Sequence, residues 1–100
     1  MGNMLAINFK APGQILLDLG QRGKDARLRL NMSRKTLAER SGVAESSIKR
    51  FENTGLVSSA SLVGILIALD RSADLEDVLV ALSIASIREL DSKARRRGRQ

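Results

Sequence analysis

The sequence predicts an all-α fold, and three observations support this prediction. The chain has 100 residues, a single Pro and no linker-like stretch, so it fits one domain and is too short for two independent cores. Apolar residues make up 43% of the chain but aromatic residues only 2%, so the core must consist of Leu, Ile, Val and Ala. From Gln14 onward the apolar residues recur with the period of a helix.

The first predicted helix runs from Gln14 to about Leu30, because apolar or small residues recur there at steps of three and four. This stripe, which is expected to be buried, consists of Leu16, Leu19, Gly23, Ala26 and Leu30. The arginines off the stripe are interpreted as surface charges that favour solubility; they are Arg22, Arg27 and Arg29. Residues 1–13 precede this helix as an N-terminal arm, either a loose one or a strand that pairs across a dimer.

Two short helices, predicted over residues 34–41 and 45–53, form the most informative part of the sequence. Ser33 is a suitable N-cap for the first of them, and Gly42 ends it and lets the chain reverse sharply. Ala38 is small enough for the second helix to lie close across the first. Four apolar residues are predicted to hold the pair on a common core: Leu37, Val43, Ile48 and Phe51. This spacing is typical of a helix-turn-helix; the alternative is an ordinary helical hairpin in a bundle.

Three further segments follow the predicted pair of helices. Ser58 is a suitable cap for a fourth helix over residues 59–69. The acidic residues of the segment 74–77 predict the start of a fifth, with an apolar face formed by Leu75, Val78, Leu79 and Leu82. A capping box at residues 86–89 begins a short helix that continues into a basic tail. Residues 75–90 hold more apolar side chains than one helix face can hide, so some of them cover a dimer partner or close the monomer.

Charge and composition narrow the function. The chain carries 17 Lys and Arg against 11 Asp and Glu, a net charge of +6, which favours a polyanionic partner and nucleic acid first. Because Cys and His are absent, the commonest catalytic and metal-binding groups are missing, and we predict no enzyme activity, no cofactor and no metal. The longest apolar run, Leu62 to Leu69, is far shorter than the roughly 20 residues of a membrane span. No membrane partner and a cytoplasmic location are therefore expected.

The helix over residues 45–53 carries its polar side chains on one face. At about 100° per residue, they occupy an arc of about 140°, opposite the apolar arc. The polar arc holds Glu45, Ser46, Lys49, Arg50 and Asn53. Such a helix fits the major groove of double-stranded DNA. There Arg50 can donate hydrogen bonds to guanine, Glu45 can accept one from cytosine, and Ser46 can donate or accept one. Lys49 either joins them or touches phosphate, and the alternative for Glu45 is an ion pair with Lys49 on an exposed helix.

The segment LNMSRKTLAERSGVAESSIKRFENTG, followed by VSSASLVGILIALD, resembles the Xre/Cro family of bacterial and phage repressor domains. The resemblance covers about two-thirds of the chain, residues 14–82, and residues 83–100 remain as a helical, basic C-terminal extension. It implies a five-helix lambda-repressor-like domain that binds a palindromic operator as a homodimer and represses transcription.

The same resemblance implies further DNA contacts. Arg34 would meet the DNA backbone or an outer base, with Lys35 and Asn53 on phosphates. Ser47 holds a family position that often touches DNA, although its angle places it at the edge of the polar arc. A solvated face is the alternative for Lys35. The predicted DNA-binding residues are Arg34, Lys35, Glu45, Ser46, Ser47, Lys49, Arg50 and Asn53.

The end of the motif, KRFENTG, together with the acidic LEDVL segment and the basic tail, is similar to the antitoxin-type regulators that accompany Hip-type kinase toxins. This similarity implies an autorepressor of a toxin–antitoxin operon with a kinase-like toxin as its partner. One alternative is a protein-binding module whose main role is toxin neutralisation, and another is a stand-alone phage-type repressor. The tail, residues 93–100, is either a simple basic end, a source of nonspecific phosphate contacts or a ligand for an acidic groove.

Overall fold

The computed structural model describes residues 10–81, which form four α-helices, a short 3-10 helix and no β-strand. The α-helices are α1 (Pro12–Arg29), α2 (Arg34–Ser41), α3 (Glu45–Thr54) and α4 (Ser59–Ala68), and the 3-10 helix is Ser72–Leu75. The all-α prediction is confirmed over this range, and the first four helices begin and end within two residues of the predicted bounds. Most of the predicted arm and the whole of the predicted C-terminal extension lie outside the described residues.

The fifth helix does not form where the acidic residues predicted it. Ser72–Leu75 make a single 3-10 turn, and residues 76–79 form turns rather than an α-helix. Val78 and Leu79, expected on a buried face, are exposed, and Leu79 is 98% exposed. Acidic residues near a helix start contribute only about 0.3–1 kcal/mol, whereas most helical stability comes from packing an amphipathic face. Residues 10–81 therefore contain four α-helices, and Leu82 lies outside them.

Local signals set the bounds of the helix pair. The Ser33 hydroxyl accepts a hydrogen bond from the Thr36 backbone N–H at 3.0 Å, so Ser33 is the N-cap of α2 as predicted. Gly42 ends α2 in the left-handed region, with φ of 73°, and its N–H donates to the Ala38 carbonyl. A side chain at this φ would be strained, which explains a glycine at the turn. Ser58 caps α4 in the same way, through the Ser61 N–H at 3.1 Å.

The core lies where the four helices meet. Its buried apolar residues include all four that the sequence assigned to the motif, together with three others; they are Met32, Leu37, Val43, Ile48, Phe51, Ile65 and Leu69. The prediction for Leu30 is wrong, because this side chain is 49% exposed. Since α1 ends at Arg29 and Asn31 adopts a positive φ of 54°, the chain turns away from the helical stripe and Met32 enters the core instead.

α1 crosses α3 at very short range. A Cβ atom built on Gly20 would lie 2.3 Å from the Phe51 carbonyl oxygen, so only a glycine allows the two backbones to approach this closely. One turn later on α1, Gly23 faces the Phe51 ring. α2 packs against both α3 and α4. These contacts hold α3 by one face and leave its other face at the surface.

Within residues 10–81, no single helix is long and apolar enough to cross a membrane. Only α3 and α4 taken together satisfy that test of length and composition, and they are bent by 97° relative to each other. Each of them contributes a fully buried side chain to the core, Ile48 from α3 and Ile65 from α4.

Candidate nucleic-acid interface

The polar face of α3 lies at the surface, as the sequence predicted. Its opposite face is buried and carries Ile48, Phe51 and Glu52. Seven of the eight predicted DNA-binding residues are exposed, namely Lys35, Glu45, Ser46, Ser47, Lys49, Arg50 and Asn53, and Arg34 is partly buried. The exposure that DNA contact requires is therefore present, while the contacts themselves stay a prediction.

The charged side chains on this face form no polar contact within the part of the chain that the structure describes. Among residues 10–81, no hydrogen bond or ion pair involves the side chains of Glu45, Lys49 or Arg50. Glu45 and Lys49 do not form the ion pair that was the structural alternative for Glu45. The charged groups on this face of α3 are thus available to an external ligand, and the Ser46 and Ser47 hydroxyls lie exposed beside them.

Beneath this face, Glu52 joins the two motif helices to α1 through a buried ion-pair cluster. Its side chain is 0% exposed, and its two oxygens accept from Arg27, Oε2 from Nε at 2.6 Å and Oε1 from Nη2 at 3.0 Å. Oε1 also accepts from Arg34 Nε at 2.9 Å. The remaining Arg27 nitrogen, Nη1, donates to the Met32 carbonyl at 2.8 Å. No buried side-chain polar atom in the described residues lacks a partner.

The interpretation of Arg27 as a surface charge is wrong. Arg27 is buried, because it is the counter-ion that a carboxylate on the core-facing side of α3 requires. One signal in the sequence pointed to this cluster: Glu52 falls on the apolar arc of its helix, where an acid must find a cation. A second signal was the helical period of α1, which places Arg27 about 20° from Leu16 at the edge of the apolar stripe, although nothing in the sequence paired Arg27 with Glu52. Arg22 and Arg29, by contrast, are exposed as predicted.

The pKa of Glu52 follows from two opposing causes. Burial raises the pKa of this carboxyl, but the hydrogen bonds from Arg27 and Arg34 outweigh burial, so the pKa lies below its ordinary value of 4.5. Glu52 is therefore ionised at neutral pH and fully paired.

Arg34 has a structural role that the sequence did not predict. Its Nε is bound to Glu52, while its side chain is 29% exposed at the start of α2. The guanidinium is thus anchored at one nitrogen and partly open to solvent. This arrangement couples the first residue of α2 to the end of α3, and leaves the predicted contact of Arg34 with DNA as a prediction.

Two helices joined at a glycine turn, the second buried on one face and exposing a polar one, define a DNA-binding domain of the helix-turn-helix class. A helix-turn-helix family model matches residues 24–75, just over half of the chain, from the second half of α1 through the 3-10 helix. The chain belongs to the helix-turn-helix family of the Xre and lambda-repressor type. None of the curated proteins compared with the chain matches it.

Membership of this family defines the broad activity. The protein is a DNA-binding transcription regulator, and its ligand is double-stranded DNA. The family consists of DNA-binding regulatory domains that are generally not enzymes.

Proposed function

We propose that this protein is a sequence-specific transcriptional repressor that binds an operator as a homodimer. In this proposal α3 is the recognition helix and lies in the major groove, which is about 12 Å wide, while α2 crosses the DNA backbone. The observation that carries the proposal is the polar face of α3, which is exposed and whose charged side chains form no ion pair within residues 10–81, while the opposite face is buried in the core.

Each exposed side chain then has a role that suits its chemistry. Arg50 donates its fork of N–H groups to guanine O6 and N7, and Glu45 accepts from cytosine N4. Ser46 bonds to a base edge, and Ser47 lies at the margin of the interface. The phosphate contacts come from Lys49, Lys35, Asn53 and Arg34.

Replacing Arg50 with Ala should weaken binding to the cognate operator by about 1–3 kcal/mol, roughly 5- to 150-fold, and relax the preference for one base pair. The physical reason is the loss of a bidentate contact that one base pair alone can satisfy. The operator is first selected from a random duplex library with the wild-type chain. Fluorescence anisotropy then compares the selected duplex with a scrambled one at a fixed salt concentration.

Arg40→Ala is the matched control, because Arg40 is an exposed arginine of α2 outside the predicted contact set. This variant should keep the wild-type base preference. An equal loss for Arg50→Ala on selected and scrambled duplexes would reduce Arg50 to a phosphate contact, and no loss on either would remove it from the interface.

The homodimer is supported by apolar side chains that the described fold leaves exposed. Val63 and Ile67 lie four residues apart on one face of α4 and are 42% and 61% exposed. Val78, Leu79 and Val80 are also exposed, within the segment whose apolar excess predicted either a dimer contact or closure of the monomer. A second copy could cover such residues, and in helix-turn-helix dimers the two recognition helices lie about 34 Å apart on one side of the duplex.

The double substitution Val63→Lys and Ile67→Lys should raise the dissociation constant of the dimer at least about tenfold, because apolar contact area is lost and two charges must be desolvated. Sedimentation velocity over a range of concentrations measures the effect. Leu17→Lys, a change at a similarly exposed apolar side chain of α1, should leave the dimer intact. A dimer that persists in the double variant would place the interface elsewhere, and a monomeric wild-type chain would contradict the homodimer.

We further propose that the repressor is the antitoxin of a toxin–antitoxin operon and represses that operon with a kinase-like toxin as its partner. The similarity of the motif's end, acidic segment and basic tail to antitoxin-type regulators supports this role. A kinase-like reading frame beside the gene distinguishes it from a stand-alone phage-type repressor. A chain that neutralises such a toxin equally well without operator binding would instead be mainly a protein-binding module.

A further inference from the structure

The buried ion-pair cluster of Arg27, Arg34 and Glu52 holds more positive than negative charge. Two guanidinium groups share its single carboxylate, and no other acid of residues 10–81 forms an ion pair with either arginine. Both guanidinium groups stay protonated, because arginine does not lose its proton in proteins. The cluster therefore keeps an excess of positive charge, which an anion from outside it can balance.

The excess charge lies on Arg34 rather than on Arg27. All three side-chain nitrogens of Arg27 are bound, Nε and Nη2 to Glu52 and Nη1 to the Met32 carbonyl, and this side chain is only 7% exposed. Arg34 donates a single hydrogen bond within residues 10–81, from Nε to Glu52 Oε1 at 2.9 Å, and its side chain is 29% exposed. The two Nη groups of Arg34 are therefore not used by the described part of the fold.

The position of Arg34 suggests which anion these two groups meet. Arg34 is the first residue of α2, and the residue after it, Lys35, is an exposed cation. In the binding mode proposed above, α2 crosses the DNA backbone, where phosphates and not base edges are within reach. The planar fork of a guanidinium can bind a carboxylate through one N–H group and a phosphate through the others.

We propose that Glu52 is a positioning residue for DNA binding: by holding Nε of Arg34, it presents the two Nη groups of that side chain to one phosphate of the DNA backbone. A side chain that is already held loses less conformational entropy on binding than a free one. Glu52 thus serves binding without touching DNA, and Arg34 acts on a phosphate rather than on an outer base. This inference rests on the proposed mode of DNA binding.

A double-mutant cycle in the full-length chain tests the proposal. The wild type, Arg34→Ala, Glu52→Gln and the combined variant are titrated by fluorescence anisotropy against the selected and the scrambled duplex at several salt concentrations. Circular dichroism sets a temperature at which all of them are folded. Arg34→Ala should weaken binding to both duplexes by about tenfold and should lower the slope of log affinity against log salt by about 0.9, the value for one phosphate contact.

Glu52→Gln measures the positioning role, because positioning and simple charge predict opposite signs. Removing a negative charge close to the DNA would by itself strengthen binding. Loss of positioning should instead weaken binding by about three- to tenfold when Arg34 is present. In the Arg34→Ala background the same change should alter the affinity by less than about twofold, because no guanidinium is left to position.

Three results would overturn the proposal. Equal losses for Glu52→Gln in the two backgrounds would mean that the carboxylate supports α3 through Arg27 alone. Tighter binding by Glu52→Gln would mean that Glu52 only repels DNA, and an unchanged salt slope for Arg34→Ala would mean that Arg34 meets no phosphate. A wild-type chain that selects no duplex would contradict the proposed repressor instead. Since phosphate contacts do not depend on sequence, the cycle is then measured on the scrambled duplex alone.

Arg34→Lys tests the same role with Arg27 and Glu52 intact, so the proposal stays testable if Glu52→Gln does not fold. Lys keeps the charge but lacks the planar fork that binds a carboxylate and a phosphate together. The salt slope should stay near that of the wild type, while the affinity falls by about threefold or more. Wild-type affinity would mean that charge alone suffices and would overturn the positioning role. Arg40→Ala, the matched control, should keep the wild-type slope.

Discussion

Replacing Glu52 with Gln should lower the free energy of unfolding by about 3–5 kcal/mol, the cost of leaving a buried charge without its partner. Gln has nearly the shape of Glu but no charge, so Arg27 stays buried with its Nε and Nη2 facing a neutral amide. The loss is large relative to a total stability of about 5–15 kcal/mol for a domain. Urea denaturation followed by circular dichroism measures it.

Two further variants separate this ion-pair effect from a general effect of losing an acid. Glu39→Gln removes an exposed carboxylate of α2 and should change the free energy of unfolding by less than about 0.5 kcal/mol. Arg27→Met with Glu52→Leu removes both charges and should recover part of the loss, because a well-packed apolar pair replaces an ion pair at little cost. Recovery should be incomplete, since the Met32 carbonyl loses its donor. A loss no larger than that of Glu39→Gln would contradict the buried cluster.

The same cluster makes stability depend on pH. Because the folded-state pKa of Glu52 is depressed, its contribution is complete above the ordinary value of 4.5 and is lost as the pH falls from there through the folded-state pKa. The free energy of unfolding of the wild-type chain should therefore fall as the pH drops below about 4.5, which is the acidic limb of the curve of stability against pH. The same limb should be flatter for Glu52→Gln. Identical limbs in the two proteins would mean that the carboxylate does not gain charged partners on folding.

Replacing Gly20 with Ala should destabilise the fold by about 1–3 kcal/mol or more, the usual cost of forcing extra volume into a close contact. The added Cβ would lie 2.3 Å from the Phe51 carbonyl oxygen and 3.0 Å from that of Glu52, and both atoms belong to the α3 backbone. Neither can move without shifting α3. Thermal unfolding measures the stability, and binding to the selected duplex should weaken because α3 is displaced.

Gly13→Ala is the matched control on the same helix. A Cβ there has no neighbour within 4 Å, so this change should be neutral or should stabilise the fold by about 0.4–1 kcal/mol. The stabilisation would come from the lower conformational entropy that Ala gives the unfolded chain. If Gly20→Ala behaved like Gly13→Ala, the close crossing of α1 and α3 would be absent in solution.

The helix pair was predictable because its signals act over a few residues. Ser33 satisfies the N–H groups at the start of α2, and Gly42 takes the left-handed φ that ends it, so each signal operates within a turn of its own position. The periodic positions Ile48 and Phe51 face the core for the same reason. The exposed face of α3 followed directly, since a helix buried on one side presents the other.

The fifth helix and Arg27 escaped prediction because neither was decided locally. The acids of the segment 74–77 favour a helix start only weakly, and no packed face within residues 10–81 supports a helix there. By helical period Arg27 lies at the edge of the apolar stripe of α1, about 20° from Leu16, but it can be buried there only because the end of α3 brings Glu52 against it. Sequence spacing identifies the face of a helix and not the atoms that the fold places opposite it.

By itself, the sequence determined the helical class, the caps and turn of the motif, its four core side chains and the exposed arc that carries Arg50. Only the tertiary structure decided the buried partners of Glu52, the anchoring of Arg34 and the backbone contact at Gly20. The reason is the range of the forces: capping and helical period act between residues a few positions apart, whereas an ion pair or a backbone contact between residues some 25 to 31 positions apart exists only after the helices have packed.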